Sequence, residues 1–251
     1  MDWAVRRQLL YALGVFLFLA CVGGLIWYFF IYEPPTCTDG LQNQGEFGPD
    51  CEGPCAKLCS IPRVDPLWAR PLLVAEGVYH GVASVKNPLS NARATGLMYS
   101  LALYDDDNIL IAERRGTIDL YPGETRVVFE PNIIAGSRVP VRAFMKVDGG
   151  YWEKSDSVES PILIVSQQLD TENLRLTGVL ENVTAEPVNS IIANALLYDA
   201  DDIVVAASET RFAVIPGRGR QDVSFTWPTA FPRPVVRADI SIRVPHDAPT
   251  P

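Results

Sequence analysis

The chain has 251 residues, with 21 Lys plus Arg against 30 Asp plus Glu and a net charge of −9. That balance argues against a phosphate backbone or an anionic lipid surface as the main partner, since both would repel it, and we expect no nucleic acid partner. With 20 Pro, 18 Gly and short runs of Val, Ile, Thr and Tyr, the composition points to strands broken by turns rather than to helices.

From Leu9 to Tyr32 there is no charged residue. A hydrocarbon core of roughly 30 Å needs about 20 apolar helical residues, whereas a signal-peptide core has only about 7–15. The spacing therefore predicts a transmembrane anchor at 9–32 behind a tip at 1–8. Arg6 and Arg7 precede the span, and Glu33, Asp39, Glu46 and Asp50 follow it before Lys57, so the tip should be cytoplasmic and the rest extracytoplasmic. Trp27, Tyr28 and Tyr32 suit the aromatic belt at the interface. A cleaved signal peptide fits less well, because no small-x-small site closes the run. A lipoprotein signal ending at Cys21 would leave Val22 to Tyr32 apolar on the mature protein. Cys21 is then a small hydrophobe in the membrane.

Four cysteines, Cys37, Cys51, Cys55 and Cys59, crowd into a module at 33–60 that has no apolar run to bury. So small a segment needs covalent or metal staples. In an oxidising compartment an even set reads as two disulfides, with three pairings open. Asp39, Asn43, Glu46 and Asp50 offer hard oxygen ligands at short intervals among glycines, which is what Ca²⁺ requires. The alternative is a disulfide knot whose acids cap turns. A Cys₄ zinc site is the weaker option, given the flanking oxygens and the oxidising space. Cys37, Asp39, Gly40, Asn43, Glu46, Asp50, Cys51, Gly53 and Cys55 together resemble a motif of exported bacterial proteins, C-x-D-G-x-x-N-x-x-E-x-x-x-D-C-x-G-x-C. Phe47 and Glu52, and the spacing from Cys55 to Cys59, depart from it.

Residues 61–71, with Pro62, Pro66 and Pro71 around Trp68, read as an extended linker. Beyond it the chain repeats itself. Tyr104-Asp105-Asp106-Asp107-Asn108-Ile109 returns as Tyr198-Asp199-Ala200-Asp201-Asp202-Ile203, and Pro122-Gly123 returns as Pro216-Gly217. Val85-Lys86-Asn87 answers Leu180-Glu181-Asn182, and Val141-Arg142-Ala143 answers Val236-Arg237-Ala238. Two copies of one domain follow, at 72–159 and 160–246, with a tail at 247–251. Period-two alternation through Val236, Ala238, Ile240, Ile242 and Val244, and through Val139, Val141, Ala143, Met145 and Val147, marks strands with one buried face and one wet face. The acidic tetrads read as turns between strands, and each Pro-Gly as a type II turn. About seven strands per copy describes an immunoglobulin-like β-sandwich. The fold class is thus mainly β: one N-terminal transmembrane helix, a small disulfide-rich module and two tandem sandwiches.

Leu101-Ala102-Leu103-Tyr104-Asp105 and Ala195-Leu196-Leu197-Tyr198-Asp199, each followed by its Pro-Gly turn, resemble the bacterial FxLYD domain, with Leu101 and Ala195 at the aromatic position. The resemblance implies a non-catalytic envelope protein.

Catalytic chemistry is sparse. His80 and His246 are the two histidines, neither in a nucleophile arrangement, and no HExxH, GxSxG or phosphate loop occurs. Arg114-Arg115 and Arg218-Gly219-Arg220 read as solubilising patches. Asn182-Val183-Thr184 fits a glycosylation sequon but aligns with Asn87 and reads as a turn. We expect a membrane-anchored display of tandem sandwiches that binds envelope proteins and requires no cofactor. One alternative is an accessory subunit of a secretion, pilus or transport complex, for which Gly23-Gly24 would allow close helix approach. Another is a calcium-dependent surface protein.

Overall fold

The computed structural model describes residues 3–31, 36–157 and 159–244. Tyr32, Glu33, His246 and the tail at 247–251 lie outside the described residues. The chain divides into two compact units, Met1–Cys55 and Ala56–Pro251, taken here in turn.

The first unit begins with helix α1, Trp3–Ile26, which runs on into one π-helical turn, Trp27–Ile31. Branched aliphatic and aromatic residues sit on every side of it beyond Gln8, so that stretch has no polar face to turn to water. Arg6–Phe29 is long and apolar enough to cross a membrane, with mean hydropathy 2.5, and Leu10, Phe16 and Phe18 are all exposed. A helix apolar all round and packed on nothing is stable in an apolar solvent, because its backbone bonds are satisfied within the segment. The rest of the unit is irregular chain around a disulfide between Cys37 and Cys55. Cys51 and Cys59 are disulfide-bonded too.

The second unit is built entirely of antiparallel sheet. Its first copy comprises β1 (Pro66–Ala75), β2 (Val78–Lys86), β3 (Ala92–Tyr104), β4 (Leu110–Leu120), β5 (Thr125–Ile134) and β6 (Arg142–Lys154). These pair as β1-β2-β5 and β4-β3-β6. Its second comprises β7 (Ile162–Asp170), β8 (Arg175–Asn182), β9 (Val188–Tyr198), β10 (Val204–Ile215), β11 (Arg220–Thr226) and β12 (Arg237–Arg243). They pair as β7-β8-β11 and β10-β9-β12, so every strand has its counterpart six places on. Among the described residues each sandwich has six strands rather than about seven.

Each sandwich has its own core. Ala83, Val85, Leu97, Leu101, Ile118, Leu120 and Trp152 fill the first. Leu176, Leu180, Ile191, Leu197, Ile215 and Phe225 fill the second. Pro66 and Pro71 do not mark a linker: they stand in β1, an edge strand, where a missing N–H is tolerated. Val64 is buried in the first core, and Ala56 and Leu58 hydrogen-bond the end of β6 through Lys154 N–H and Trp152 C=O, at 2.7 and 3.0 Å. The first sandwich therefore recruits chain on the N-terminal side of residue 72.

The central strands β2 and β9 break the one-face-wet pattern. Val82, Ala83, Ser84 and Val85 are all buried, as are Ala193 through Leu197. Burial on both faces means a second layer covers each sheet. That layer is the other sandwich: Leu72 and Val82, flanked by Trp68, Val127 and Phe129, pack against Leu196, Val204, Ala207 and Tyr198. The unit is thus a stack of four sheets. Copy one contributes its β1-β2-β5 face, and copy two its β10-β9-β12 face, the counterpart of β4-β3-β6. Arg243, on the polar side of β12, is correspondingly turned toward the first sandwich. Its side chain is 12% exposed, pairs with Glu124 at 3.3 Å and lies 5.1 Å from the Tyr121 ring centroid. Thr229 Oγ1 bonds the Val74 carbonyl at 3.2 Å across the same junction.

The two Pro-Gly turns differ. Gly123 takes φ +67, as a type II turn requires, but in copy two the positive φ falls on Arg218. Gly217 is needed there for another reason: a Cβ would stand 1.8 Å from the Ala185 carbonyl oxygen.

Candidate binding groove at the sandwich junction

The acidic tetrads are structural clasps. Asp105 accepts the Ile109 N–H at 2.8 Å, and Asp199 accepts the Ile203 and Asp201 N–H groups at 2.9 and 3.0 Å. Asn108 and Asp202 take the positive φ that closes each turn. Both carboxylates are buried and each meets an arginine from the chain leading to the last strand of its sandwich: Arg138 on Asp105, and Arg233 on Asp199 at 2.7 Å. Burial alone would raise the carboxyl pKa of each aspartate. The backbone N–H of Ile109 or Ile203 and the arginine outweigh it and hold both below the usual carboxylate value. Arg142 adds a further tie, donating to the Asp105 and Asp106 carbonyls at 3.2 and 2.9 Å.

These clasps fix the walls of a groove of about 710 Å³. It is lined by Trp68 to Leu73 on β1, Val139 to Phe144 at the start of β6, Ile203 to Val205 after the second clasp, and Pro232-Arg233. Leu73, Val139, Val141 and Phe144 are 50–61% exposed, a large apolar display for residues held by ordered backbone. Val141 N–H, for example, bonds the Tyr104 carbonyl at 2.9 Å. Three arginines line the groove, Arg70, Arg142 and Arg233, and no Asp or Glu does, in a chain of net charge −9. Arg70 has no hydrogen bond or ion pair among the described residues, while Arg142 and Arg233 are held by the clasps and keep further N–H donors.

The residues weighed for calcium, Asp39, Asn43, Glu46 and Asp50, do converge, but on one another and on backbone amides. Asp39 accepts from Thr36 N–H and Leu41 N–H at 3.0 and 2.8 Å, and from Asn43 Nδ2 at 2.9 Å. These bonds hold its carboxyl below the usual range, Thr36 contributing most. Buried Glu46 accepts the Asn43 and Asp50 N–H groups, and Asp50 accepts Gly40 N–H at 2.8 Å. This is turn capping. Asn43 Oδ1 and Asp50 Oδ1 are buried without a hydrogen-bond partner, and a calcium shell of six to eight oxygens would draw on these two and on the free lone pairs of the carboxylates that cap the turns. Glu46 also lies beside Cys37 and Cys55, but their sulfurs are bonded to each other and offer no thiolate.

Asn182 is fully buried. Its Nδ2 donates to the Glu186, Ile215 and Pro216 carbonyls at 2.8–3.2 Å, so the sequon is a structural clamp, as Asn87 is in copy one. His80 packs its ring 4.7 Å from that of Phe129 and accepts Asn132 N–H through Nδ1; burial lowers its pKa. Of the basic patches, Arg115 pairs with Glu113, and Arg220 with Glu181. Arg70, Arg138, Arg142 and Arg233 were not singled out by sequence. The repeat alignment that equates Val141 with Val236 also equates Arg138 with Arg233, and would have found the clasps.

No protein-family model matches the chain, and no curated protein matches it. Among solved structures it is similar to red sea bream transglutaminase at 12% identity and a TM-score of 0.20, over 74% of this chain and 31% of that one. So low a score carries no argument about fold or activity.

Proposed function

We propose that this chain is a non-catalytic, membrane-anchored protein of the cell envelope whose stacked sandwiches stand outside the cytoplasm and bind another protein. The observation that carries the reading is the groove: an apolar channel at the junction of two sandwiches, walled by ordered backbone and rimmed by arginine. Junctions of this kind are favoured sites for ligands. Its lining of aromatic residues, Pro and Arg, without Lys, Glu, Asp or Ser, has the composition of energetic centres in protein interfaces. The apolar helix supports retention at the membrane, and the disulfides support an oxidising compartment.

A photo-crosslinking residue placed at Val141 in the native membrane tests this. Adducts with a polypeptide are expected there and not from Thr177, on the outer face of β8. Absence of any adduct from Val141 would sink the binding role. Protease added to intact cells with a permeable outer barrier should digest the sandwiches; protection would reverse the orientation.

A further inference from the structure

The groove's walls interleave charge with apolar surface at strand spacing. Arg142 and Phe144 lie two apart on one face at the start of β6, and on β1 Arg70 is followed by Leu73, which is 52% exposed. An extended polypeptide also repeats its side chains on one face every second residue. A ligand that carries an acidic and an apolar residue in turn along one face, a repeat of four residues, would therefore meet guanidinium and apolar surface in turn. The arginines come from three separate elements, β1, β6 and the segment before β12, so the positive charge is spread along the groove and not gathered for one headgroup. No carboxylate lines the groove itself; Arg233 is paired with Asp199 behind it and Arg142 donates to two carbonyls, while Arg70 makes no hydrogen bond or ion pair among the described residues and can offer its fork to a carboxylate.

We infer that the groove takes an extended polypeptide segment whose groove-facing side chains are acidic and apolar in turn, its carboxylates received by Arg70 and by the remaining donors of Arg142 and its apolar residues seated against Leu73, Val141 and Phe144. This rests on the binding role proposed above. The negative charge of the whole chain repels such a segment at long range, so selection acts at the groove itself, where only a ligand that buries apolar groups can stay.

The test uses the full chain in neutral lipid nanodiscs and a fluorescent peptide repeating Glu-Ser-Leu-Ser-Glu-Ser-Phe-Ser, which sets Glu and an apolar residue in turn on one face. Binding by anisotropy is expected, weakened by added salt. The same peptide with Lys for Glu should not bind. Arg70→Gln, which breaks no hydrogen bond or ion pair among the described residues, should weaken binding about tenfold or more, and Phe144→Asp, at an exposed position, should abolish it. Failure of the Glu peptide to bind, or binding indifferent to both substitutions, overturns the inference. So does dodecanoate binding at the groove where the peptide does not, which would assign it to an anionic amphiphile. If Val141 still crosslinks to a polypeptide while the Glu peptide fails, the ligand class is wrong and the binding role stands; loss of both removes both.

Discussion

Leu196→Ala is the sharpest probe of the four-layer stack. Leu196 is 6% exposed and points from β9 into the cluster with Leu72 and Val82. The repeat places Ala102 at the same position in copy one, on a sheet face that no second sandwich covers, so the substitution gives copy two the residue its sister already tolerates. If the sandwiches were independent beads, Leu196 would face water and the change would cost under about 0.5 kcal/mol. Buried against the first sandwich, it should cost about 2–5 kcal/mol, as large-to-small changes in well-packed cores do. For a unit of this size that is a fall in Tm of roughly 4–20 °C. Urea unfolding of the full chain in detergent, read by tryptophan fluorescence, is suitable because Trp68 packs on the same cluster while Trp152 and Trp227 report the two cores. Combining Leu196→Ala with Val82→Ala should cost less than the sum of the two, since they share one cavity. A loss below about 0.5 kcal/mol, or strict additivity, would refute the shared interface.

Asn182→Ala should destabilise the second sandwich by about 2–4 kcal/mol, since it strands buried carbonyls of the Ile215–Pro216 turn, and denaturant midpoints would show it; a surface asparagine would show almost nothing. Asp105 and Asp199 have carboxyl pKa values lower folded than unfolded, so their contribution is complete above the unfolded value near 3.8 and is lost as pH falls through the folded values. Asp199→Asn should flatten the acid limb of the stability curve below about pH 4, and an unchanged limb would count against the clasp. His80, lowered by burial, works the other way round in charge: the unfolded chain takes up its proton first, so stability should decline as pH drops below 6.5, and His80→Gln should remove that slope in a pH series of thermal melts. Replacing Cys37 and Cys55 by Ser opens a loop of 18 residues' separation and should cost the module about 3 kcal/mol, visible as faster proteolysis near Gly40 to Gly53 while the sandwich transition stays put.

The parts of this molecule with short-range signatures could be read from the sequence. The apolar helix shows itself by its length and lack of charge, and the duplication by an ungapped Tyr-Asp turn and its Pro-Gly partner. Asn87 and Asn182 align and do the same work. What escaped reading depends on contacts between distant segments. Pro66 and Pro71 look like linker residues until an edge strand is available to hold them. Which cysteines pair is a matter of loop closure that spacing does not settle. The sandwich interface did leave a trace: Ile191 to Leu197 is nearly continuous in apolar residues where a half-exposed strand should alternate, and Val82 to Val85 is similar. The groove arginines left none individually, because a lone Arg beside Val or Pro has many ordinary explanations.

The unequal use of faces has a consequence for how the duplication could have grown. After copying, the two halves became a plug and a socket: the first kept Leu72, Val82 and Phe129 on its β1-β2-β5 face, while the matching face of the second presents Thr177, Glu181, Asp222 and Ser224. The repeats are therefore no longer interchangeable. Transposing their order would set Thr177, Glu181, Asp222 and Ser224 against Leu196 in place of Leu72, Val82 and Phe129, so divergence at one face has given the two repeats a fixed order.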